Sequence, residues 1–362
     1  MEKVLIVTPH IIVGGVEKAL INMLSMFQKD KYDVTVRFIK CQGDFKDSLP
    51  HYNNIHYDEI PIGEREKQIL LSGGTKKVLQ KLIKSFSWFT AIKVILKKIK
   101  ASPFSDYLGN FDKIPVDNTV YDYAICYHMH MPFIVAYVSK KINANNKICW
   151  IHSDFKTTKL NVNSMDEYLC DYNQFMAVSE QLKDEFIDIC PNRAKDIKLF
   201  HNLINTQEIL DKANLFVPKE FEKETLNILS VGRLSAEKGF DLAINIAYKL
   251  KNKNIKFKWF VVGEGKERNN LSKMIKTYNL EEYFILLGLK CNPYPYMKNC
   301  DIYVQPSRHE GYGITLAEAK ILGKKIIATN FAGAHEQLDG YSNGVVVNFD
   351  EIEIINAIIN NI

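Results

Sequence analysis

Asp301-Ile302-Tyr303-Val304-Gln305-Pro306-Ser307-Arg308-His309-Glu310-Gly311-Tyr312-Gly313-Ile314-Thr315-Leu316-Ala317-Glu318-Ala319-Lys320-Ile321-Leu322 reads as a strand, a glycine turn and a helix in direct succession. The strand pattern occupies 301–305 and ends before Pro306, Gly311 and Gly313 mark the turn, and 314–322 has helical character. Glu310 is thereby expected at the carboxyl end of a strand, and Glu318 more than one turn into the next helix. In an open parallel α/β sheet that edge is where ligands sit. Turn amides and a helix N-terminus suit an anion, and carboxylates suit hydroxyls. The pair therefore suits a ligand that carries both phosphates and hydroxyls.

Outward from this unit, short apolar strand patterns alternate with helical ones. One series of strands is expected at 3–8, 33–39, 121–127, 147–152, 174–178 and 197–201. A second is expected at 226–231, 258–263, 283–288, 301–305, 325–329 and 344–349. Segments between them, such as 241–250 and 269–278, repeat apolar residues three and four apart. Such alternation predicts an α/β fold with parallel sheets covered by helices on both faces. Two stretches interrupt it. Residues 205–224 are polar and charged and read as lying at or just after a domain junction, while 60–118 is long and not cleanly strand–helix.

A chain of 362 residues favours two domains. Hydrophobic residues at 46% and charged residues at 25% are ordinary globular values. The seven cysteines are scattered and none forms C-x-x-C, which argues against a disulfide framework or zinc site and for a reducing, cytoplasmic setting. No secretory signal is expected before the first strand, and no apolar run approaches membrane-spanning length. A formal charge of +5 makes no demand for nucleic acid.

Three further strand-to-helix turns carry candidate chemistry. In the first, Gly14-Gly15-Val16-Glu17 lets a ligand approach the backbone where a helix begins, but it is not G-x-G-x-x-G. Val231-Gly232-Arg233-Leu234-Ser235-Ala236-Glu237-Lys238-Gly239 offers a planar guanidinium and a compact ammonium, a pair suited to a diphosphate. In Val261-Val262-Gly263-Glu264-Gly265, a base or ribose could lie against Gly263 and Gly265, and a plain glycine turn reads the same way. His152 closes a strand, where its imidazole could meet a sugar hydroxyl or a leaving oxygen; His10, His128 and His130 occupy comparable loop ends. No histidine pair has metal-ligand spacing on a helix, so no protein-bound metal is expected. Residues 76–100 hold eight lysines, no acid and an apolar stripe at helical spacing. Such a segment suits either an anionic membrane surface or docking on its own sheet.

The combination resembles the family-4 retaining glycosyltransferases of bacterial envelope and capsular polysaccharide synthesis. It rests on G-G-V-E, V-G-R-L-S-A-E-K-G, V-V-G-E-G, Asn292-Pro293-Tyr294-Pro295-Tyr296-Met297 and the two glutamates eight apart, and is strongest over 227–337. The resemblance implies a GT-B fold, two Rossmann-like domains facing across a cleft. An N-terminal acceptor domain is expected over 1–194 and a C-terminal nucleotide-sugar domain over 195–350. It further implies a terminal helix returning to the N-terminal domain, for which 351–362 is available. By position, Arg233 and Lys238 would hold the diphosphate, Glu318 the ribose, and Glu310 the donor sugar's hydroxyls. Gly15, Gly311, Tyr312 and Gly313 would complete the donor cradle, and His152 would approach the sugar. The implied reaction transfers a sugar, with retention, from a nucleotide-diphosphate sugar (a UDP-sugar) to a glycan or lipid-linked acceptor. It needs no cofactor or metal and works in the cytoplasm, at the inner face of the membrane if 76–100 binds lipid. A non-catalytic nucleotide-sugar-binding protein and a nucleotide-sugar epimerase or phosphorylase are the alternatives on the same scaffold.

Overall fold

The computed structural model describes residues 1–12, 14–43, 45–71, 111–158 and 160–361. The lysine-rich segment 76–100 lies outside them. Two compact units emerge, one of Met1–Val13, Met23–Val178 and Lys183–Phe200, the other of Gly14–Asn22, Ser179–Leu182 and His201–Ile362.

The first unit is built on a seven-stranded sheet. Its strands are β1 (Glu2–Thr8), β2 (Tyr32–Phe38), β3 (Ile55–Glu59), β4 (Asp117–Cys126), β5 (Ile142–Ile151), β6 (Gln174–Ala177) and β7 (Ile197–Leu199). Their order is β3-β2-β1-β4-β5-β6-β7, and every pairing is parallel. The chain leaves β1 for β2 on one side and reaches β4 on the other, so the direction of winding reverses between β1 and β4. Val4, Leu5, Ile6 and Val7 are all buried, the continuous apolar run expected of a parallel strand covered on both faces.

The second unit carries β8 (Leu226–Val231), β9 (Phe257–Val262), β10 (Phe284–Gly288), β11 (Ile302–Gln305), β12 (Lys325–Thr329) and β13 (Gly344–Val347). The order is β10-β9-β8-β11-β12-β13, again wholly parallel, with the reversal between β8 and β11. Successive side chains point to opposite faces of a strand, and the core divides accordingly. Ile228, Trp259 and Ile302 enter one hydrophobic layer with the helices Phe240–Asn252 and Arg268–Thr277. Leu229, Phe260 and Tyr303 enter the other, with Thr206–Ala213, Tyr294–Asn299 and Ile314–Ile321. Between β8, β9 and β11, Trp259 Nε1 donates to Ser230 Oγ at 3.0 Å and Ser230 Oγ donates to Val304 O at 2.6 Å, so the polar atoms in this core are satisfied.

The terminal helix runs Glu351–Ile359, capped by Asp350, whose side chain accepts from the amides of Ile352 and Glu353. Its buried residues Ile354, Ile355, Ala357 and Ile358 belong to the first of those layers. An apolar face of four residues on this helix is thus used within the second unit.

Candidate functional site

At the reversal between β8 and β11, two loops leave the carboxyl edge side by side. Gly239 joins them. It has φ +69°, and a Cβ there would stand 1.8 Å from Pro306 O, so only glycine lets the loop after β8 lie against the loop after β11. Arg308 fastens the same seam. Its guanidinium forms a two-pronged pair with Asp241 at 2.7 and 2.6 Å and donates to Ala236 O at 2.7 Å, while its own amide donates to Glu237 O at 2.7 Å. The bond to Asp241 raises the Arg308 pKa.

Arg233 and Lys238 stand on the first of these loops and Glu310 on the second. Glu310 lies five residues beyond β11, further along than a strand-end position, but it folds back onto that end. Its Oε1 accepts from Gln305 Nε2 and Ser307 Oγ, each at 3.0 Å, and forms an ion pair with Lys238 Nζ. Gln305 is oriented in turn by Thr315 Oγ1 at 3.2 Å. The carboxylate is therefore held by three donors on a rigid strand end.

Gly311, Tyr312 and Gly313 form the turn that opens the helix Ile314–Ile321. Gly313 has φ +82°, with the Phe331 ring where a Cβ would go, and Gly333 at φ +81° passes 3.0 Å from Tyr312 O by the same measure. Gln337 Nε2 donates to Tyr312 O, and the Tyr312 ring stacks on His201 at 5.5 Å. Glu318, 1% exposed, accepts from Tyr294 OH at 3.0 Å. Within the second unit as divided above it also pairs with Lys18 at 2.5 Å. Burial, then the charge of Glu318, pushes the Tyr294 pKa up, so the phenol stays a donor.

Gly263 and Gly265 have a reason of their own. A Cβ at either would meet Gly232 O at 1.9 Å or Leu234 O at 2.3 Å. Their backbone seats the loop after β8, which accounts for glycine at both without a ligand.

His152 belongs to the first unit. It follows β5, is 5% exposed, and packs against Tyr127 at 4.5 Å and Trp150 at 6.4 Å. Burial, followed by the neighbouring His128 and His130, holds its pKa well below the usual imidazole value. Burial likewise lowers His128 to about 3 and His130 to about 4. Gly15 opens the helix Gly15–Met26.

The second-unit edge thus gathers Arg233, Lys238, Glu310, Gly311, Tyr312, Gly313 and Glu318. Sequence reading missed the residues that position them: Gln305, Ser307, Arg308, Tyr294 and Gln337. Gln305 and Ser307 flank Pro306 in the quoted stretch and could have been found there, but the partner of Gln337 is 25 residues away. Among the described residues, no group of three or more His, Cys, Asp or Glu stands in position to hold a metal ion, and no helix is long and apolar enough to cross a membrane.

Comparison with known proteins adds three findings. The model of the family Glycosyl transferases group 1 matches residues 211–362. Over 159 residues the chain is 32% identical to the N-acetylgalactosamine-N,N'-diacetylbacillosaminyl-diphospho-undecaprenol 4-alpha-N-acetylgalactosaminyltransferase of Campylobacter jejuni, covering 43% of this chain and 41% of that protein. Over 149 residues it is 30% identical to the O-antigen biosynthesis glycosyltransferase WclY of Escherichia coli, covering 41% of this chain and 40% of that one. The matched stretch therefore spans about two fifths of these relatives' length. Among solved structures, Anabaena Alr3699/HepE in complex with UDP and glucose aligns with TM-score 0.68 and 16% identity over 99% of this chain and 89% of that one. The trehalose-6-phosphate synthase OtsA aligns with TM-score 0.72 and 16% identity over 99% and 91%. The fold is GT-B, two parallel-sheet α/β domains of seven and six strands.

Proposed function

We propose that this chain, whose residues 211–362 match the model of the family Glycosyl transferases group 1, moves a sugar, with retention, from a UDP-sugar to a hydroxyl of a glycan or lipid-linked glycan, without a metal. The observation that carries this reading is the meeting of Lys238 with Glu310 at the β8/β11 reversal, on the edge that also holds Arg233 and Glu318. Diphosphate-binding cations and hydroxyl-binding carboxylates occupy one strand edge, as a nucleotide-sugar requires. The acceptor named for the Campylobacter jejuni relative, a diphospho-undecaprenol glycan, supports a lipid-linked acceptor here.

In the proposed reaction the acceptor oxygen attacks the anomeric carbon on the face the nucleotide leaves. The bond from that carbon to the β-phosphate oxygen breaks, its electron pair stays on the phosphate, and the acceptor proton passes to that oxygen. Negative charge grows on the departing phosphate. Arg233 and Lys238 stabilise it more in the transition state than in the ground state, which accelerates the step. An ammonium has three donors, so the ion pair with Glu310 does not exhaust Lys238. Glu310 orients sugar hydroxyls and Glu318 the ribose.

The test is a thermal-shift panel of nucleotide-sugars on the full chain, followed by NMR of the product anomer with the stabilising donor. Stabilisation by UDP-sugars and a product of unchanged anomeric configuration are expected. A donor that is bound but never turned over would make the chain a binding protein. A donor isomerised without acceptor would make it an epimerase.

A further inference from the structure

The amide of Lys18 donates to Gly14 O at 3.1 Å, closing the first turn of the helix Gly15–Met26. A cation is badly placed there, because a helix N-terminus is itself positive and favours an acid such as the neighbouring Glu17. A partner outside the helix must offset that cost. The second unit takes in Gly14–Asn22, and within it this turn lies against the helix Ile314–Ile321. A Cβ on Gly15 would stand 3.7 Å from Ile314 Cδ1, an ordinary packing distance. From this position Lys18 reaches Glu318.

Three contacts define the meeting. Lys18 Nζ forms an ion pair with Glu318 Oε1 at 2.5 Å. It also donates to Tyr294 OH and lies 4.5 Å from the centre of the Tyr294 ring. Tyr294 OH in turn donates to the same Glu318 Oε1, at 3.0 Å. Ammonium, phenol and carboxylate oxygen thus close a triangle. The Glu318 side chain is 2% exposed and that of Lys18 27%. A carboxylate so enclosed is tolerated only with a counter-charge and donors. The other cations of this edge are engaged elsewhere: Lys238 pairs with Glu310, Arg308 with Asp241, and the charge of Arg233 acts on Glu17.

Both donors fall on Oε1. A carboxylate has two acceptor oxygens, so Oε2 is the one left for a ligand, and the triangle fixes where it points. Without the triangle the group could turn about its last bond and offer an acceptor of no fixed direction.

We infer that Lys18, with Tyr294, is a positioning residue for the nucleotide: it holds Glu318 by Oε1 and thereby aims Oε2 at a ribose hydroxyl, so that the site selects a ribonucleotide over its deoxy forms. That the hydroxyl belongs to a ribose rests on the proposed function. That Lys18 and Tyr294 fix the direction of Glu318 rests on the contacts alone.

Calorimetric titration of the full chain with UDP, 2′-deoxy-UDP and 3′-deoxy-UDP measures this selectivity. Wild type should bind UDP about tenfold more tightly than at least one deoxy form, as the loss of a hydrogen bond to a charged group does. Lys18→Met keeps the length of the side chain and removes its charge. In this variant the Kd of UDP should rise about tenfold, toward that of the deoxy form, whose own Kd moves much less. Lys18→Arg should keep the preference. Tyr294→Phe removes only the hydroxyl and should reduce the preference in the same sense; it decides the matter if Lys18→Met does not fold. A merely structural Lys18 would weaken all three nucleotides alike and leave the preference intact, which overturns the inference. So would tighter UDP binding in Lys18→Met, since Lys18 would then compete with the ribose for Glu318. Equal binding of all three nucleotides by wild type would place Glu318 away from the ribose and bring down the donor reading as well. A preference for UDP that is as strong in Lys18→Met as in wild type would bring down only the role of Lys18.

Discussion

The two glutamates eight residues apart differ in their surroundings. Glu318 is enclosed, with Tyr294 as its phenolic donor. Glu318→Ala removes the acceptor assigned to the ribose and should weaken UDP binding by about 1.5–3 kcal/mol, roughly ten- to a hundredfold. Calorimetric titration measures this, and unchanged affinity would take Glu318 out of the site. Lys238 sits in the other regime, partly exposed and bound to Glu310. Lys238→Ala should lower turnover about a hundredfold or more while donor KM changes little, because its charge matters most as the phosphate departs. A rise in KM at constant turnover would show ground-state binding only. Both positions were marked in the sequence by a strand pattern and glycines: Lys238 in the turn after one strand, Glu318 in the helix that the turn after another strand opens. What was not legible was their support. Nothing in the sequence marks the partner of Arg308, Asp241, which lies 67 residues earlier.

Of the thirteen strands among the described residues, the one sequence reading missed was β3, Ile55-His56-Tyr57-Asp58-Glu59. Its polar composition fits an edge strand, paired on one side only. Its register is set by β2, with Arg37 of that strand gripping Asp58 at 2.7 Å. The helix Thr206–Ala213 was missed as well, inside a stretch taken as polar, although Asn205 capping the Glu208 amide at 3.1 Å is a start signal written in the sequence. The ends of β4 and β5 carry a prediction of their own. His128 and His130 have folded pKa values of about 3 and about 4, below the unfolded value of about 6.5. The native state therefore binds fewer protons than the unfolded chain. The stabilisation is complete above about pH 6.5 and is lost as pH falls toward the folded values. The melting temperature should drop between pH 6.5 and 4, and a His128→Gln, His130→Gln double variant should drop less over the same window. Parallel curves for the two proteins would show that these rings do not titrate with unfolding.

Both sheets follow one plan: all strands parallel, a reversal beside the first strand, and polar groups gathered where the winding turns. Two-fold use of this plan explains why the architecture could be read from alternation alone, while the assignment of chemistry to each half could not. The second unit's motifs are dense in charge and glycine, and each lies within a few residues of a strand end. The first unit's edge is rich in histidine, and its histidines come together only when β1, β4 and β5 are placed side by side. The two hydrophobic layers of the second sheet draw their residues from 204–358. A domain whose core is closed within a continuous segment has what it needs to fold on its own. A fragment of residues 201–362 should therefore purify with a single cooperative thermal transition, and UDP should raise its melting temperature, as binding to the native state requires. A fragment that melts cooperatively but ignores UDP would place part of the nucleotide site on residues outside it. One that never folds would show that the core, although drawn from one segment, depends on the rest of the chain.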